Sequence, residues 1–390
     1  MRKSILRKQL VQTKNNELAT WIEVSTEAVL HNLDCLEQKR GPAVKLGLVV
    51  KANAYGHGLE EIVRLASPHQ AVSYFFTASF EEALRVKNLG VAQPVCALVP
   101  ADRYLLREAL EQGVEFVCCD LDFLETVAEV ARSAGVRAQL HLKLDTGLSR
   151  LGLLKKELNL VAQAFKKHHS SCELIGLMSH LADITGEDIL FAHEQRSRFE
   201  EYGAYLKAVG LSWRESHVGA SGALPFTGND TLVRVGTALY GYWKSEHEKQ
   251  RTQERFGAFE WKPVLTWKSR IMHFSCVEPG VSVGYGQSFV APCAMRLAVI
   301  PIGYSDGYSR EFSNCGAVWV QGKLAPVVGR VSMNLLTIDV SAIPNLCVGD
   351  EVILLGPQEG VRADILADCL KTVHIDILSR IRPSIPRIVV

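Results

Sequence analysis

The chain has 390 residues and a net charge of +1, with 47% hydrophobic and 22% charged residues. This balance is typical of a soluble globular protein with material for two or three domains. It gives no indication of a nucleic-acid or membrane-surface partner, and no apolar stretch is long enough to span a bilayer.

The cysteine pattern and the first residues indicate the compartment. Ten cysteines are scattered without Cys-x-x-Cys pairs, which favours reduced thiols over a disulfide framework. Residues 1–16 are basic and polar and lack the apolar core of a secretory signal. We therefore expect a cytoplasmic protein.

The first predicted elements are an arm, a short strand and a helix. Residues 1–20 are expected to form a loose N-terminal arm that leads into a strand at Trp21–Val24. Ser25 or Thr26 is a typical N-cap, and the apolar spacing after it predicts a helix that ends near Gly41.

An apolar run, Leu46–Val50, predicts a buried parallel strand that ends at Lys51. Burying a lysine is costly, and burial lowers its pKa, which suits a Schiff base with an aldehyde or a proton-transfer base. The alternative is a strand-end lysine whose ammonium reaches solvent. A small turn with Tyr55 follows, and a helical pattern begins at Leu59.

Seven further strand-like runs follow, with helical patterns between most of them. Repeated β–α alternation implies a parallel sheet with right-handed crossovers. Eight units in about 210 residues favour an α/β fold of the (β/α)8 TIM-barrel type over an open doubly wound sheet. The seven runs are Tyr74–Ala78, Pro94–Val99, Glu115–Cys119, Ala138–Leu144, Leu174–Ser179, Trp213–Val218 and Leu232–Leu239.

Polar residues recur where these strands end, which is the edge at which a barrel builds its site. Each has an ordinary alternative, a strand-end side chain facing water, and only the barrel itself would bring them together. They are Lys51, Tyr55, Lys143, Asp145, Arg150, His180, His217, Ser221 and Arg234.

The pattern changes near residue 245. Residues 245–255 are charged and unpatterned, which predicts a linker. Short strands with turns follow, starting with Pro263–Phe274, and two helical patterns and a stiff tail at Pro383–Pro386 close the chain. We predict a barrel over 21–250 and a mostly-β C-terminal domain over 251–390.

Small-residue turns and one tyrosine complete the chemical signals. Gly219–Ala223 and Gly236-Thr237 offer backbone N–H groups, with the Ser221 hydroxyl, that suit a phosphate, although most glycine turns are only turns. Tyr285 stands between two glycines; it is either a surface tyrosine or a phenol offered to another surface as an acid or base. No metal site is predicted, because the histidines lack ligand spacing.

From about Trp21 to Arg387, the sequence resembles alanine racemase, a pyridoxal-phosphate enzyme with a (β/α)8 barrel and a β domain. The motifs that carry the resemblance are Val50–Gly58, Lys143–Gly147 with Arg150–Gly152, Arg234–Gly236 with Leu239–Gly241, Tyr285-Gly286, Gly303–Tyr308 and Gly329–Met333.

The resemblance implies interconversion of L- and D-alanine by two bases through a pyridoxal 5'-phosphate aldimine at Lys51. Lys51 and Tyr285 would be the bases, with Tyr285 reaching the partner's barrel in a homodimer that shares its active sites. The cofactor would contact Tyr55, His180, His217, Ser221, Arg234, Gly236 and Thr237. Arg150 and Met333 would approach the substrate carboxylate, Tyr304 would narrow the entrance, and Lys143 would be carbamylated.

Three positions depart from the family pattern. Ile375 stands where a phosphate-binding tyrosine is usual, which removes one hydrogen bond worth about 1–3 kcal/mol if nothing replaces it. Asn334 stands where many members have Asp, and Ala220 where some have Asn. These changes bear on the polarity of the pocket and on substrate preference.

The resemblance leaves other activities to be weighed. A serine, lysine or broader racemase could use the same scaffold. An ornithine-type decarboxylase is expected to present an acid to the pyridine nitrogen, which Arg234 opposes. Single-domain carriers of pyridoxal phosphate lack the β domain. The prediction is therefore an alanine racemase, a cytoplasmic isomerase that supplies D-alanine for peptidoglycan precursors, without nucleic-acid or membrane partners.

Overall fold

The computed structural model describes residues 18–390, so most of the predicted N-terminal arm lies outside the described residues. The chain divides into two compact units. The barrel unit comprises 27–54 and 62–262. The β unit comprises the described residues through Thr26, then Tyr55–Glu61 and Pro263–Val390. The limits 21–250 and 251–390 stay a prediction.

The barrel unit is built on one sheet of eight parallel strands, which confirms the predicted fold class. Strand β1 (Thr20–Val24) belongs to the β unit, so the barrel strands are numbered from β2. They are β2 (Lys45–Val49), β3 (Val72–Thr77), β4 (Val95–Ala97), β5 (Glu115–Cys118), β6 (Ala138–Lys143), β7 (Cys172–Met178), β8 (Glu215–His217) and β9 (Leu232–Val235).

The strands pair in chain order from β2 to β8, and β9 returns to pair with β2. An isolated parallel bridge between Ala220 and Arg234 joins the chain after β8 to β9. The sheet therefore curves round on itself, and the ends of its strands meet at one edge, as a barrel requires.

Helices follow most of the strands, as the alternation predicts. None of the helices within residues 18–390 is long and apolar enough to cross a membrane. They are α1 (Thr26–Lys39), α2 (Leu59–Ala66), α3 (Phe80–Lys87), α4 (Leu106–Glu111), α5 (Leu121–Ala134), α6 (Leu158–Lys167), α7 (Leu190–Ala208) and α8 (Glu246–Phe256).

Helix α8 shows that the linker predicted at 245–255 was wrong. Ser245 is the N-cap, and its hydroxyl accepts a hydrogen bond from the Glu248 N–H at 3.1 Å. The Glu248 carboxylate in turn accepts from the Lys244 N–H at 2.9 Å. Ser245 and Glu248 match the Ser-x-x-Glu sequence signal of a helix start, although the carboxylate binds the N–H of Lys244 and not that of the N-cap residue. The high charge of the segment concealed this signal.

The β unit is mostly β, as predicted, and most of its strands pair antiparallel. Its elements after β1 are β10 (Leu265–Arg270), β11 (His273–Val277), β12 (Ser282–Val283), β13 (Phe289–Val290), β14 (Met295–Ile300), β15 (Ala317–Val320), β16 (Lys323–Pro326), β17 (Leu336–Asp339), β18 (Glu351–Leu355), α9 (Ala363–Leu370), α10 (His374–Ser379) and β19 (Arg387–Val389). A six-stranded sheet has the order β16-β15-β18-β10-β1-β19, and a three-stranded sheet and a hairpin accompany it.

Two details of this unit differ from the sequence prediction. The strand expected at Pro263–Phe274 is two strands, β10 and β11, that belong to different sheets. The stiff tail continues into β19, which pairs in parallel with β1 through Ile22 and Arg387. Local pattern cannot show either feature, because the partner strands are distant in sequence.

Candidate active site

Lys51 begins one left-handed turn directly after β2. The next four residues, Ala52 to Tyr55, all have φ between 52° and 55°. Non-glycine residues pay roughly 1–2 kcal/mol each in this region. Such strain collects at functional sites, where the surrounding structure holds it in place. Burial, reinforced by the charge of Arg150, lowers the pKa of the Lys51 ammonium.

Glu82 holds this turn in the barrel unit. Its carboxylate accepts from the Asn53 N–H at 3.2 Å and from the Ala78 N–H at 2.9 Å. Glu82 is also the largest opposing influence on the Lys51 pKa, which its negative charge raises. Sequence analysis missed Glu82, although Ser79, which caps α3, and Glu82 form a Ser-x-x-Glu capping signal.

Arg234 on β9 is buried and holds its place through hydrogen bonds from both terminal nitrogens. Nη1 donates to His217 Nδ1 at 2.6 Å and to the His217 carbonyl at 2.7 Å. Nη2 donates to the carbonyls of Ser179 and Val218 at 2.8 and 3.1 Å and lies 3.2 Å from His180 Nδ1. Burial lowers the pKa of Arg234 to about 10.

His180 and His217 are neutral beside this guanidinium. Burial, with Arg234 next in importance, lowers the pKa of His180 to about 2 and that of His217 well below its usual value. Since a guanidinium can only donate, each Nδ1 that faces Arg234 is an acceptor.

Ser221 and the turn after β9 form a compact cradle. The Ser221 hydroxyl accepts from the Gly236 N–H at 3.1 Å and lies 3.4 Å from the Ala238 N–H. The Thr237 hydroxyl is buried and has no hydrogen-bond partner among the described residues. A buried hydroxyl without a partner is costly, so this cradle suits a ligand oxygen.

Lys143 and Arg150 flank a loop that Asp145 shapes. The Asp145 carboxylate accepts from the N–H groups of Gly147 and Ser149 at 2.9 and 3.1 Å. Burial and then the charge of Arg150 lower the pKa of Lys143 to about 8. Its amine is therefore available in the neutral form near physiological pH.

Electrostatic influence links several of the predicted barrel residues. The charges of Arg150, Lys244 and Arg234 lower the pKa of Lys51, and the same three residues and Lys143 lower that of His180. The structure thus places Arg150 and Arg234 within electrostatic reach of Lys51 and His180, and it places His180 and His217 next to Arg234. Lys244 was missed, although it is a basic residue shortly after the last barrel strand.

Tyr55 lies in the β unit. Burial raises the pKa of its phenol to about 12. The next residue, Gly56, has φ +84°, and a Cβ there would lie 2.0 Å from the Leu378 carbonyl oxygen on α10. Ile375, at the position of the expected tyrosine, is half-buried on the same helix.

The other predicted β-unit residues sit on loops around Gly329–Met333. A Cβ on Gly284 would lie 3.3 Å from the backbone nitrogen of Arg330, so the turn that carries Tyr285 packs on one side of this segment. On the other side, the Tyr304 N–H donates to the Ser332 carbonyl at 3.0 Å.

Met333 is fixed by the same loop cluster. Its carbonyl accepts from the Ser305 N–H at 3.0 Å and from the Ser305 hydroxyl at 2.8 Å. The Asn334 amide donates to that hydroxyl at 2.8 Å, so this departure from the family pattern has a hydrogen-bonding role. Tyr285, Tyr304 and Met333 are 71%, 42% and 56% exposed.

One group of potential metal ligands lies outside the predicted site. Asp34, Glu37 and His69 each offer an atom within 4.8 Å of the others. These side chains are exposed or half-buried, and acidic groups are common at such positions without an ion. We assign no metal to them.

Two family models match the chain. The alanine racemase N-terminal domain matches residues 24–244, and the alanine racemase C-terminal domain matches residues 264–389. Together they include the barrel strands and almost all of the β unit that follows them.

Curated relatives match along almost the whole chain. Alanine racemase 2 of Caldanaerobacter subterraneus subsp. tengcongensis is 33% identical over 378 residues, covering 95% of this chain and 94% of the relative. Alanine racemase of Desulfosudis oleivorans is 32% identical over 387 residues, covering 96% and 97%.

A solved structure shows the same similarity. Alanine racemase from Streptomyces coelicolor A3(2) superposes with a TM-score of 0.89 at 29% sequence identity. The match covers 97% of this chain and 99% of that chain.

Proposed function

The chain belongs to the alanine racemase family, and from this premise we propose that it interconverts L- and D-alanine with pyridoxal 5'-phosphate, as a homodimer with shared sites. The observation that carries the proposal is the proximity of a half-buried lysine of lowered pKa, Lys51, and a buried, donor-only arginine, Arg234, in a chain that both family domains match.

The barrel residues fit the cofactor. The Thr237 hydroxyl without a partner, Ser221 and the Gly236 N–H offer hydrogen bonds to a phosphate, and the cluster of positive side chains around Lys51 favours an anionic ligand. Tyr55 would add its phenol. When bound, pyridoxal phosphate links to the substrate amine and withdraws charge from its Cα.

Lys51 supports two tasks with one amine. Because burial and Arg150 lower its pKa, the neutral Nζ is accessible for attachment of an aldehyde. When it is not attached, the same Nζ would remove the Cα proton from the D-enantiomer or return one to the same face.

Arg234 would face the pyridine nitrogen with His217 behind it and His180 packed on the ring. None of the described hydrogen bonds of Arg234 uses its Nε, so this N–H remains for the nitrogen of a ligand. A guanidinium does not give up its proton, so Arg234 would leave that nitrogen unprotonated. This would limit charge withdrawal and favour proton return over side reactions.

Tyr285 would supply the second base. Racemisation needs a proton acceptor on each face of the same carbon, and Lys51 serves one face only. Tyr285 is 71% exposed, and its loop is one of the loops around Gly329–Met333 that carry Tyr285, Tyr304 and Met333. We propose that the partner subunit's Tyr285 acts on the L-enantiomer, with Met333 near the substrate carboxylate and Tyr304 at the entrance.

Arg150 and Lys143 would orient the substrate. Arg150 is the guanidinium that would meet the carboxylate. A lysine with a pKa of about 8 has enough neutral amine to react with carbon dioxide, and a carbamate on Lys143 would be an anion beside Arg150. The native mass of the protein tests this: we expect one added CO2 that is lost on denaturation, and an unmodified native mass would contradict it.

Alanine is the proposed substrate, because Tyr285 and Tyr304 would leave a narrow entrance. The alternatives on this scaffold, serine and lysine racemases, are not favoured, because the curated relatives are named alanine racemases. The match of residues 264–389 to the second family domain disfavours a single-domain carrier. We also propose a cytoplasmic location, with D-alanine passing to peptidoglycan precursors.

The experiment that tests the function is an enantiomer assay. Purified protein with pyridoxal phosphate is mixed separately with L-alanine, L-serine and L-lysine, and each D-enantiomer is quantified. D-alanine should form fastest. Dominant D-serine or D-lysine would change the substrate, and an absence of all three products would overturn the racemase proposal.

A further inference from the structure

We propose that Glu115 is a positioning residue for Arg234 and acts on it through His141 and His217. The inference rests on the proposed function only for the role of Arg234. The connected side chains themselves are a property of the barrel interior.

Four buried side chains form a continuous path. Glu115 Oε2 lies 2.8 Å from His141 Nε2, and His141 Nδ1 lies 2.8 Å from His217 Nε2. His217 Nδ1 then lies 2.6 Å from Arg234 Nη1. The path uses both nitrogens of both rings, and it joins two charged groups that are not hydrogen-bonded to each other.

The chemistry of the arginine end fixes every proton on this path. Arg234 can only donate, so His217 Nδ1 is the acceptor and its proton sits on Nε2. His217 Nε2 therefore donates to His141 Nδ1. The His141 proton then sits on Nε2 and is donated to the Glu115 carboxylate, which is an acceptor. All three hydrogen bonds run in one direction, from Arg234 to Glu115.

All four side chains of this path are shielded from solvent, including the charged groups at its two ends. Glu115 and Arg234 are each 3% exposed, and both imidazoles are fully buried. No carboxylate is among the described hydrogen-bond partners of Arg234. Asp230 favours its charge, but the Asp230 carboxylate is engaged by Arg196 and two backbone N–H groups. Glu115 thus supplies the anion at the far end of the path.

The barrel makes room for the first imidazole by using a glycine on the neighbouring strand. A Cβ on Gly176 would lie 2.1 Å from His141 Nδ1, the atom that accepts from His217. The ring also meets the Tyr74 ring edge-on at 6.3 Å. The position of His141 is therefore set by packing, and Glu115 supplies the acceptor for the Nε2 proton at the end of the path.

The test observes the rings directly in the full-length protein. Histidine is labelled with ¹⁵N, and the resonances of His141 and His217 are assigned with His141→Gln and His217→Gln. Both rings should be neutral and carry the proton on Nε2. A proton on Nδ1 of either ring would overturn the proposal, whether or not the protein racemises alanine.

Glu115→Gln and Glu215→Gln form a matched pair for the effect on Arg234. Both carboxylates are buried in the barrel, but Glu215 pairs with Lys45 and Thr231, although it is only two residues from His217. Glu115→Gln should shift the resonances of both rings and lower kcat about tenfold with KM nearly unchanged. Glu215→Gln should do neither.

If Glu115→Gln and Glu215→Gln change the ring resonances and kcat equally, Glu115 has no specific effect on Arg234 and the proposal is overturned. If Glu115→Gln fails to fold, Glu115→Asp replaces it: a shortened carboxylate should shift both rings, and no shift would count against the path. Wild-type protein that racemises none of the tested amino acids would refute the proposed function and leave the ring measurement valid.

Discussion

The barrel residues around Lys51 and Arg234 and the β-unit loops around Gly329–Met333 differ in how exposed their predicted functional side chains are. Around Lys51 and Arg234, the pKa values of basic groups are lowered by burial, and Arg234 is buried and hydrogen-bonded to His217 and to backbone carbonyls. Around Gly329–Met333, the side chains with predicted roles are exposed, although their backbones are fixed by hydrogen bonds. Arg234 finds its hydrogen-bond partners within the barrel unit, whereas the functional side chains of the β-unit loops are exposed to solvent.

The two regions hold their functional side chains in place by different means. Buried charges cost several kcal/mol unless they are paired, so the barrel must satisfy them during folding. Exposed tyrosines cost little and need only a rigid loop, such as one that Gly303 allows to approach Ser332 and Met333 closely. We therefore expect changes in the barrel to affect stability and chemistry together, and changes in the loops to affect chemistry alone.

The largest effect is expected from Lys51→Ala. The change removes both the point of attachment and one base, so racemisation should fall at least about 1000-fold. The absorption band of bound cofactor measures attachment, and an enantiomer assay measures turnover. If the variant keeps both the cofactor band and turnover, Lys51 is neither the point of attachment nor a base.

Tyr285→Phe should lower racemisation about 100-fold or more while the cofactor band stays unchanged. Because the enantiomers have equal energy, kcat/KM must fall equally in both directions. The asymmetry appears in deuterium exchange at Cα: D-alanine should still exchange through Lys51, and L-alanine should not. Equal exchange of both would contradict two separate bases. Unfolding free energy should be unchanged, in contrast to barrel variants.

Acid should weaken the barrel through His180. Its ring stays neutral in the folded state, with a pKa of about 2, and is protonated in the unfolded chain below about pH 6.5. The unfolded state then binds more protons, so stability falls as pH drops. The loss due to this ring is about 2 kcal/mol at pH 5.

Urea unfolding of His180→Asn at pH 7.5 and pH 5 checks this contribution. The loss between the two pH values should be smaller by about 2 kcal/mol than in the wild type. His193→Asn, at an exposed position on α7, is the control and should keep the wild-type loss. Identical losses in all three proteins would contradict the prediction.

Glu82→Ala should destabilise the protein by about 1–3 kcal/mol, because the N–H groups of Asn53 and Ala78 lose their acceptor. The left-handed turn after Lys51 then loses its support, so activity should fall as well. Glu81→Ala, at an exposed neighbouring position, should change the unfolding free energy by less than about 1 kcal/mol. Equal changes in the two variants would remove Glu82 from its proposed role.

The smallest expected effect is an increase in affinity for the cofactor. Ile375→Tyr should strengthen binding of pyridoxal phosphate about fivefold, since one net hydrogen bond is worth about 1 kcal/mol. Ile375→Phe adds a ring of similar size without the hydroxyl and should give no gain. Equal affinity of the two variants would show that the missing hydroxyl is irrelevant here.

Several site residues could be predicted because their signal is local. Lys51 closes an apolar strand, Arg234 precedes a small-residue turn, and Tyr285 stands between glycines. Glu82 could have been found from its capping pattern, as could helix α8 from Ser245 and Glu248. Glu115 and His141 could not be found in this way, because each stands in an ordinary strand and gains its role from residues 26 and 76 positions away.

Local sequence patterns predict the repeated strands and helices, the barrel class and the strand-end residues, because hydrophobic period and turn chemistry act over a few neighbouring residues. Three features depend on tertiary contacts: the directional path through Glu115, His141, His217 and Arg234, the support of the Lys51 turn by Glu82, and the pairing of the C-terminal tail with β1. Those contacts join distant parts of the chain, and burial and donor geometry select them only after the strands have closed round one another.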